Sequence, residues 1–379
     1  MRILFYGYEY PPLGGGAGRA IKNLFEYFSK EKDITIDFIT TSLNNKWEVE
    51  KKYKNITFYK IPVGSKKNKN NYHKQSPKDM VLYSINAFLL TWKLILKNKY
   101  NFSHFFGFPG GLVSFLFRWR MPYIISLRGV DVPGYNDRFK KYYIFYKPLS
   151  KIIWHYAKYV TANSKGLSDL AHKTYPNLDI KIIPNGIDTK KWRAVPEDNK
   201  YKIFSITAGG TLINKKKGHE YLVNAFALLH KKYKDTRLVL MGDGKCKKEI
   251  ESLVDKLGIS DVVEFTGFMQ NEEIAEILPK FHVFCLPSLS ESMSNASLEA
   301  LACGLPLIIT KHGASDLILK ENGYIVPFRD YNQIYEKMRI LYKNKELRGK
   351  LGLKSRRIAE GLGWRTIMKK YLELYRDIK

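Results

Sequence analysis

Short runs of β-branched and aromatic residues recur along the chain, each followed by a stretch whose apolar residues return at helical spacing. In the first half the runs are Ile3–Tyr6, Ile34–Thr40, Ile56–Ile61, Phe102–Phe106, Tyr123–Leu127 and Tyr159–Ala162. In the second half they are Lys202–Ile206, Arg237–Met241, Val263–Phe265, Val283–Leu286, Leu307–Ile309 and Tyr324–Val326. Strands alternating with helices predict βαβ units, an α/β fold and parallel pairing, and two successive series predict two sheets. The break falls in "IIPNGIDTKKWRAVPEDNKYKIF", which Pro184, Asn185-Gly186 and Pro196 punctuate and which is polar after Gly186. We assign residues 1–185 to a first Rossmann-like domain and 186–363 to a second, whose first strand follows Tyr201. The last segment, "WRTIMKKYLELYRDI", predicts a terminal helix over about 364–379, packed back on the first domain.

Ligands of open parallel sheets sit beyond the carboxyl ends of the strands. Two such sheets facing one another make a cleft lined by strand-to-helix loops, and the chain's motifs fall in those loops. The first is "GGGAGRA", Gly14 to Ala20, whose glycines let backbone N–H groups approach a pyrophosphate or an acceptor's anionic group. No P-loop Gly-Lys-Ser/Thr follows it, and a plain Gly-rich turn explains the run equally well. In "ISLRGVDVPGYNDRF" a strand delivers Arg128, Gly129 and Asp131 at its end. A cation and a carboxylate there suit a sugar diphosphate and an attacking hydroxyl, or form a solvated surface pair.

In "AGGTLINKKKGHEYLVNAF" the lysines Lys215–Lys217 precede Gly218 and an amphipathic helix. An ammonium at a helix start adds a full charge to the helix's partial one and suits phosphate. The fourth motif, "LPSLSESMSNASLEALACGLPLIIT", runs from a buried strand through a polar loop into a helix expected to begin near Asn295. Glu291 and Glu299 are eight residues apart. On one helix they would lie about 12 Å apart along the axis, so they converge only if Glu291 is in the loop. The N–H groups of Ser294–Ala296 would then face an anion and Glu299 a sugar diol; two solvent-facing glutamates around an N-cap is the plainer alternative.

Composition and local patterning add to this picture. The chain has 379 residues, with 64 Lys+Arg against 36 Asp+Glu, a formal +28. That charge suits nucleic acid, an anionic membrane or acidic small molecules, and no nucleic-acid module accompanies it. Basic and aromatic residues interleave in Arg138–Lys147 and toward the end of Met80–Tyr100, as at an anionic membrane interface. Cys246, Cys285 and Cys303 form no C-x-x-C pair, which argues for a reducing compartment and against a zinc site. The start, "MRILFYGYEYPP", reads as a first strand and not as a signal peptide. Met80–Leu96 is broken by Ser84, Asn86 and Lys93, so it reads as too interrupted to cross a bilayer, and the chain as soluble or peripheral. "GSKKNKNNYHKQSPKD" (Gly64–Asp79) reads as a mobile basic loop.

With Glu291, Glu299 and Gly304-Leu305-Pro306 in this order, the sequence resembles glycosyltransferase family four, the large retaining GT-B group. "NSKGL", "IPNGID", "KKG", "MGDG", "FTG" and "HGASDLI…NGYIVP" extend the resemblance over nearly the whole chain. It implies a GT-B fold, a nucleotide-sugar donor (UDP- or GDP-linked) and a glycan or lipid-linked acceptor, with no metal or other cofactor. It also implies site roles. Lys217 looks like the lysine on the donor diphosphate, with Lys216 beside it. Glu299 looks like the ribose-binding acid, and Glu291 like the acid on the donor sugar's hydroxyls. Ser294, Asn295 and Ala296 would offer amides, Phe268 and Met269 match the segment against the base, and Gly15 and Gly16 match the first-domain loop at the diphosphate or acceptor.

Two departures stand out. The family commonly has an arginine of a Gly-Arg-Leu where Thr211 stands here, with one extra residue. It also often has a histidine where Arg128 stands, and an arginine cannot serve as a base near neutral pH but can stabilise a departing phosphate. In the retaining family the leaving diphosphate itself takes the acceptor's proton, and "Asp-x-Asp" is absent from the chain. Two further classes stay open, a sugar-nucleotide epimerase on the same fold and a basic nucleic-acid-binding protein. The expected place of action is the cytoplasm, peripheral on the inner face of the membrane.

Overall fold

The protein is described by a computed structural model over residues 1–66, 76–107, 109, 111–209 and 215–378, with the backbone alone at 137–139. Thr211 and most of the Gly64–Asp79 loop lie outside the described residues. The chain divides into two compact units, Met1–Asn185 with Trp364–Lys379, and Gly186–Gly363.

The first unit runs β1 (Arg2–Tyr6), α1 (Gly16–Phe28), β2 (Thr35–Thr41), β3 (Glu48–Tyr53), β4 (Ile56–Ile61) and α2 (Pro77–Lys97). It continues with β5 (Phe102–Phe106), α3 (Gly111–Leu116), β6 (Tyr123–Leu127), α4 (Tyr143–His155), β7 (Tyr159–Ala162), α5 (Lys165–His172) and β8 (Ile180–Ile182). Among the described residues its sheet has the order β3-β4-β2-β1-β5-β6-β7-β8. Every pairing is parallel except that of β3 with β4. Buried β1 carries Ile3, Leu4, Phe5 and Tyr6 with no exposure at all, as expected of a parallel strand covered on both faces.

The second unit runs β9 (Phe204–Gly209), α6 (His219–Lys232), β10 (Thr236–Met241), α7 (Lys247–Lys256), β11 (Val263–Gly267), α8 (Asn271–Ile277) and β12 (Val283–Leu286). Then come α9 (Asn295–Ala302), β13 (Leu307–Thr310), α10 (Ser315–Ile318), β14 (Gly323–Val326), α11 (Tyr331–Lys343) and α12 (Lys345–Gly361). Its sheet, β11-β10-β9-β12-β13-β14, is parallel throughout. The closing helix α13 (Trp364–Asp377) belongs to the first unit. Its buried face, with Ile367, Tyr371 and Tyr375, joins the core built on β1 and α1, where Tyr375 packs on Phe28 and Phe102.

Three local readings change. The strand read at Lys202–Ile206 forms two residues later, at Phe204–Gly209. The Gly64–Asp79 loop ends at Ser76, whose hydroxyl accepts the Asp79 N–H and caps α2, with Pro77 in the first turn. Met80–Leu96, read as too interrupted to cross a bilayer, lies in one continuous helix in which the polar residues are accommodated. Ser84 donates to the Met80 carbonyl, Asn86 donates to the Pro62 carbonyl, and Lys93 is exposed. By length and composition α2 is long and apolar enough to cross a membrane, yet Met80, Tyr83, Ala87, Thr91 and Leu94 pack one face onto the unit.

Candidate active site

In each sheet the order of the parallel strands reverses at one place, between β1 and β5 in the first unit and between β9 and β12 in the second. Ligands of doubly wound sheets bind beyond the strand ends at such points. The β9 and β12 loops carry "KKKG" and "ESMSNAS", so the second unit's switch point holds both motifs.

The turn Lys215–Lys217 is pressed against the end of β12 because residue 218 is glycine. Gly218 has φ of +68°, and a Cβ there would lie 2.1 Å from the Pro287 carbonyl oxygen. The Leu289 N–H donates to the Lys216 carbonyl at 2.7 Å, which ties the two loops together. Lys217 then reaches the Glu291 carboxylate and pairs with it, the side chains only 22% and 11% exposed. Lys215 instead makes an exposed pair with Glu249.

Glu291 lies in the loop, four residues before α9 begins. Ser294 caps that helix: its hydroxyl accepts the Ser297 N–H at 3.2 Å. Asn295 and Ala296 open the first turn, whose N–H groups have no acceptor within the helix and carry its positive end. Glu299 follows one turn later on the same helix, half-buried. The structure therefore brings Lys217, Glu291 and the start of α9 to one strand-end region.

A residue the motif reading did not single out joins them. His312 follows β13, the neighbour of β12, and the Gly313 N–H donates to the Glu291 carbonyl at 3.0 Å. Burial holds the His312 imidazole below its ordinary pKa, with Glu291 raising it and Lys217 lowering it, so the ring lies in the field of both. Among the described residues neither ring nitrogen has a partner, although both are buried. A neutral imidazole of this kind can donate from one nitrogen and accept at the other. "HGASDLI" contained the residue, but nothing local marked its ring as part of the site. His219, first residue of α6, is likewise kept neutral: burial, then Lys217, push it down to about 4.

Phe268 and Met269 follow β11, whose last residue Gly267 has φ of +68°. Phe268 is 73% exposed, an aromatic face with little protein against it.

In the first unit, Gly15 and Gly16 end the loop after β1 and start α1. The Gly15 N–H donates to the Glu9 carboxylate at 3.0 Å, so this carboxylate holds one of the amides that an anionic ligand would use. Arg128 is more committed than a solvated loop residue. Its guanidinium donates to the Asn185 side-chain oxygen at 2.7 Å and to the Tyr371 hydroxyl at 2.6 Å, and lies 3.8 Å over the Phe106 ring. Its Nε alone is buried without a partner. Tyr371 is on α13, so Arg128 links the returning helix to the end of β6. Beside it His104 is held by Tyr375 and Ser126 and is driven well below its ordinary pKa by burial and then Arg128. Asp131 accepts the Arg128 and Gly129 N–H groups, while burial raises its pKa to about 6. No cluster of three or more metal-ligating side chains occurs among the described residues.

Two family models match the chain, Glycosyltransferase Family 4 over residues 14–191 and Glycosyl transferases group 1 over residues 188–358. The protein belongs to glycosyltransferase family four. Among the relatives of this glycosyltransferase, the N-acetyl-alpha-D-glucosaminyl L-malate synthase of Bacillus anthracis is 26% identical over 97% of this chain and 95% of its own. Among solved structures, the sucrose-phosphate synthase of Thermosynechococcus elongatus has a TM-score of 0.83 at 19% identity, covering 100% of this chain and 98% of the other. HepE of Anabaena in complex with UDP-glucose has a TM-score of 0.73 at 16% identity, with 100% of each chain covered. These likenesses give the glycosyltransferase its GT-B fold of two Rossmann-like parallel-sheet units.

Proposed function

We propose that this glycosyltransferase moves a hexose-type sugar from a UDP- or GDP-linked donor to a glycan or lipid-linked acceptor, with retention at the anomeric carbon and without a metal. The observation that carries the reading is the convergence of Lys217, Glu291 and the N-terminus of α9 at the β9/β12 switch point. HepE, which shares the fold, binds UDP-glucose, and that supports a nucleotide-sugar as donor.

In this reading the donor diphosphate takes the Lys217 ammonium away from Glu291. Lys217 and the first-turn amides of α9 then stand where negative charge grows as the glycosidic bond breaks. Glu291, released from its ion pair, accepts hydrogen bonds from sugar hydroxyls close to the oxocarbenium-like centre. Glu299 accepts from the ribose diol, and Phe268 and Met269 lie against the base. The departing phosphate oxygen takes the acceptor's proton on the same face, so no protein base is required. Lys216 helps to carry the diphosphate's charge. On the acceptor side we assign the Gly15–Gly16 amides and Arg128, whose Nε is buried without a partner. The buried, unpaired thiols of Cys285 and Cys303 suit a cytoplasmic protein. Epimerisation would need no acceptor, and membership of a transferase family favours transfer.

The test is to screen nucleotide-sugars for thermal stabilisation, then follow transfer to lipid and glycan acceptors by proton NMR of the anomeric signal. An α-linked product from an α-linked donor, unaffected by EDTA, is expected. An inverted product overturns the retaining mechanism, and free nucleotide released without any acceptor product overturns transfer.

A further inference from the structure

The helix α2 is apolar on two faces. Besides its buried face it presents Val81, Ile85, Leu89, Trp92 and Leu96, which recur every three or four residues and are between 47% and 67% exposed. A surface helix ordinarily turns polar residues to solvent; here, apart from Trp92, whose ring meets Phe88 and Phe117, the stripe is left largely uncovered by the described residues of the unit. Tyr142, Ile144 and Phe145, where α4 begins, are also exposed.

Beneath these two elements lies a cavity of about 430 Å³, within the range of roughly 300–1,000 Å³ typical of small-molecule pockets. Met80, Phe105, Ile125, Tyr146, Ile153 and Trp154 form its apolar wall. Val81, Ile85 and Tyr142 belong both to the exposed face and to the lining, so the cavity opens on that face. Among the described lining residues Asp131 alone is charged, just past the carboxyl end of β6. An apolar cavity that ends at a polar strand terminus has the shape of a site for an amphiphile.

The charge around it has one sign. From Met80 to Val130, and from Arg138 to Ser168, the sequence contains no aspartate or glutamate. Exposed Lys93 and Lys97 close α2, and exposed Lys140, Lys141, Lys147 and Lys151 flank the start and body of α4. Lysines around an apolar stripe are complementary to an anionic lipid surface, to which each contributes about 1 kcal/mol.

We propose that the acceptor of this glycosyltransferase is a lipid whose hydrocarbon chain enters the cavity between α2 and α4 from an anionic bilayer on which this face rests. The proposal rests on the transferase reading above and narrows its acceptor to a chain-bearing amphiphile. The chain fills the apolar wall, and its polar head is left past the end of β6, beside Asp131.

The probes are n-alkyl phosphates from butyl to hexadecyl, kept below their micelle concentrations. Binding to the full chain is followed by tryptophan fluorescence, with Trp154 in the wall as reporter. Affinity is expected to rise about fourfold per methylene and then to level off once the cavity is filled. Ser84→Phe, from a half-buried lining position, and Ile85→Trp, from the rim, are expected to weaken dodecyl phosphate at least thirtyfold. Both should leave UDP binding, a property of the second unit, and pelleting with phosphatidylglycerol vesicles unchanged. An affinity independent of chain length, or one that keeps rising without a plateau in both variants, overturns the cavity site. Vesicle pelleting with no quenching of Trp154 by brominated acyl chains overturns it too, as adsorption to the surface alone. UDP binding with chain-length-dependent alkyl phosphate binding but no sugar transfer would retain the cavity and reject the transferase reading.

Discussion

The ion pair of Lys217 with Glu291 makes stability and activity respond in opposite ways to the same substitutions. Both side chains are largely withdrawn from water, at 22% and 11% exposure, so the pair exceeds the 0–1 kcal/mol of a surface bridge. It falls short of the 3–5 kcal/mol lost when a fully buried pair is broken. Lys217→Met should strand the Glu291 carboxylate and Glu291→Gln the ammonium, each costing about 2 kcal/mol. For a unit of this size that is about 4–8 °C in Tm. The double variant leaves neither charge stranded and should cost about 1 kcal/mol, a coupling of about 3 kcal/mol between the sites. Activity should not recover with it. Removing the Lys217 ammonium from the leaving diphosphate costs about 3–4 kcal/mol in the transition state, or 10²–10³ in kcat. The assay is calorimetric unfolding of the four proteins alongside initial rates of sugar transfer. Additive stability losses would refute the pairing, and a Lys217→Met enzyme within tenfold of the parent rate would refute the phosphate role.

Further expectations concern the surroundings of that pair. Gly218→Ala combines a left-handed φ with a Cβ 2.1 Å from the Pro287 oxygen, so it should lower stability by about 2–4 kcal/mol and move Lys217, read by denaturant unfolding and by UDP affinity. Acid should destabilise the fold through its buried histidines. His219 and His282, both about 4 when folded against about 6.5 unfolded, bind protons better in the unfolded chain, so stability falls as pH drops from about 7 to 4. His219 alone is worth up to about 3 kcal/mol, and His219→Gln should flatten a pH series of unfolding free energies by that much. Asp131 acts oppositely: its folded value of about 6 lies above the unfolded one, so it adds stability as pH falls from about 6 to 4, and Asp131→Asn should steepen the acid loss. His312→Ala should lower kcat roughly tenfold to a hundredfold, the loss of one hydrogen bond to the charged donor, with little change in Tm, because its ring nitrogens have no partner among the described residues to lose.

Where strands are buried and helices amphipathic, the fold was legible, because burial on both faces writes continuous apolar runs. The strands missed were those without that signature. Glu48–Tyr53 is a charged, mostly exposed edge strand paired antiparallel, and Ile180–Ile182 is a three-residue edge. In α2 the polar residues looked like breaks because their partners, the Met80 and Pro62 carbonyls, cannot be seen in a local pattern. The site divides in the same way. Glu291 had to leave the helix to meet anything, and spacing alone showed it. That its partner is Lys217, 74 residues earlier, follows from β9 lying next to β12. The place of His312 follows from β13 lying beyond β12. For Arg128 the sequence left a phosphate-facing cation and a solvated surface pair both open; its ties to Tyr371 depend on the last helix returning to the first unit.

A crystal of the protein soaked with UDP and with a UDP-sugar gives the most direct measurement. The account predicts the diphosphate within hydrogen-bond reach of Lys217 Nζ and of the first amides of α9, the ribose diol on Glu299, and Glu291 parted from Lys217. A nucleotide bound elsewhere, with the Lys217–Glu291 pair intact, would contradict it.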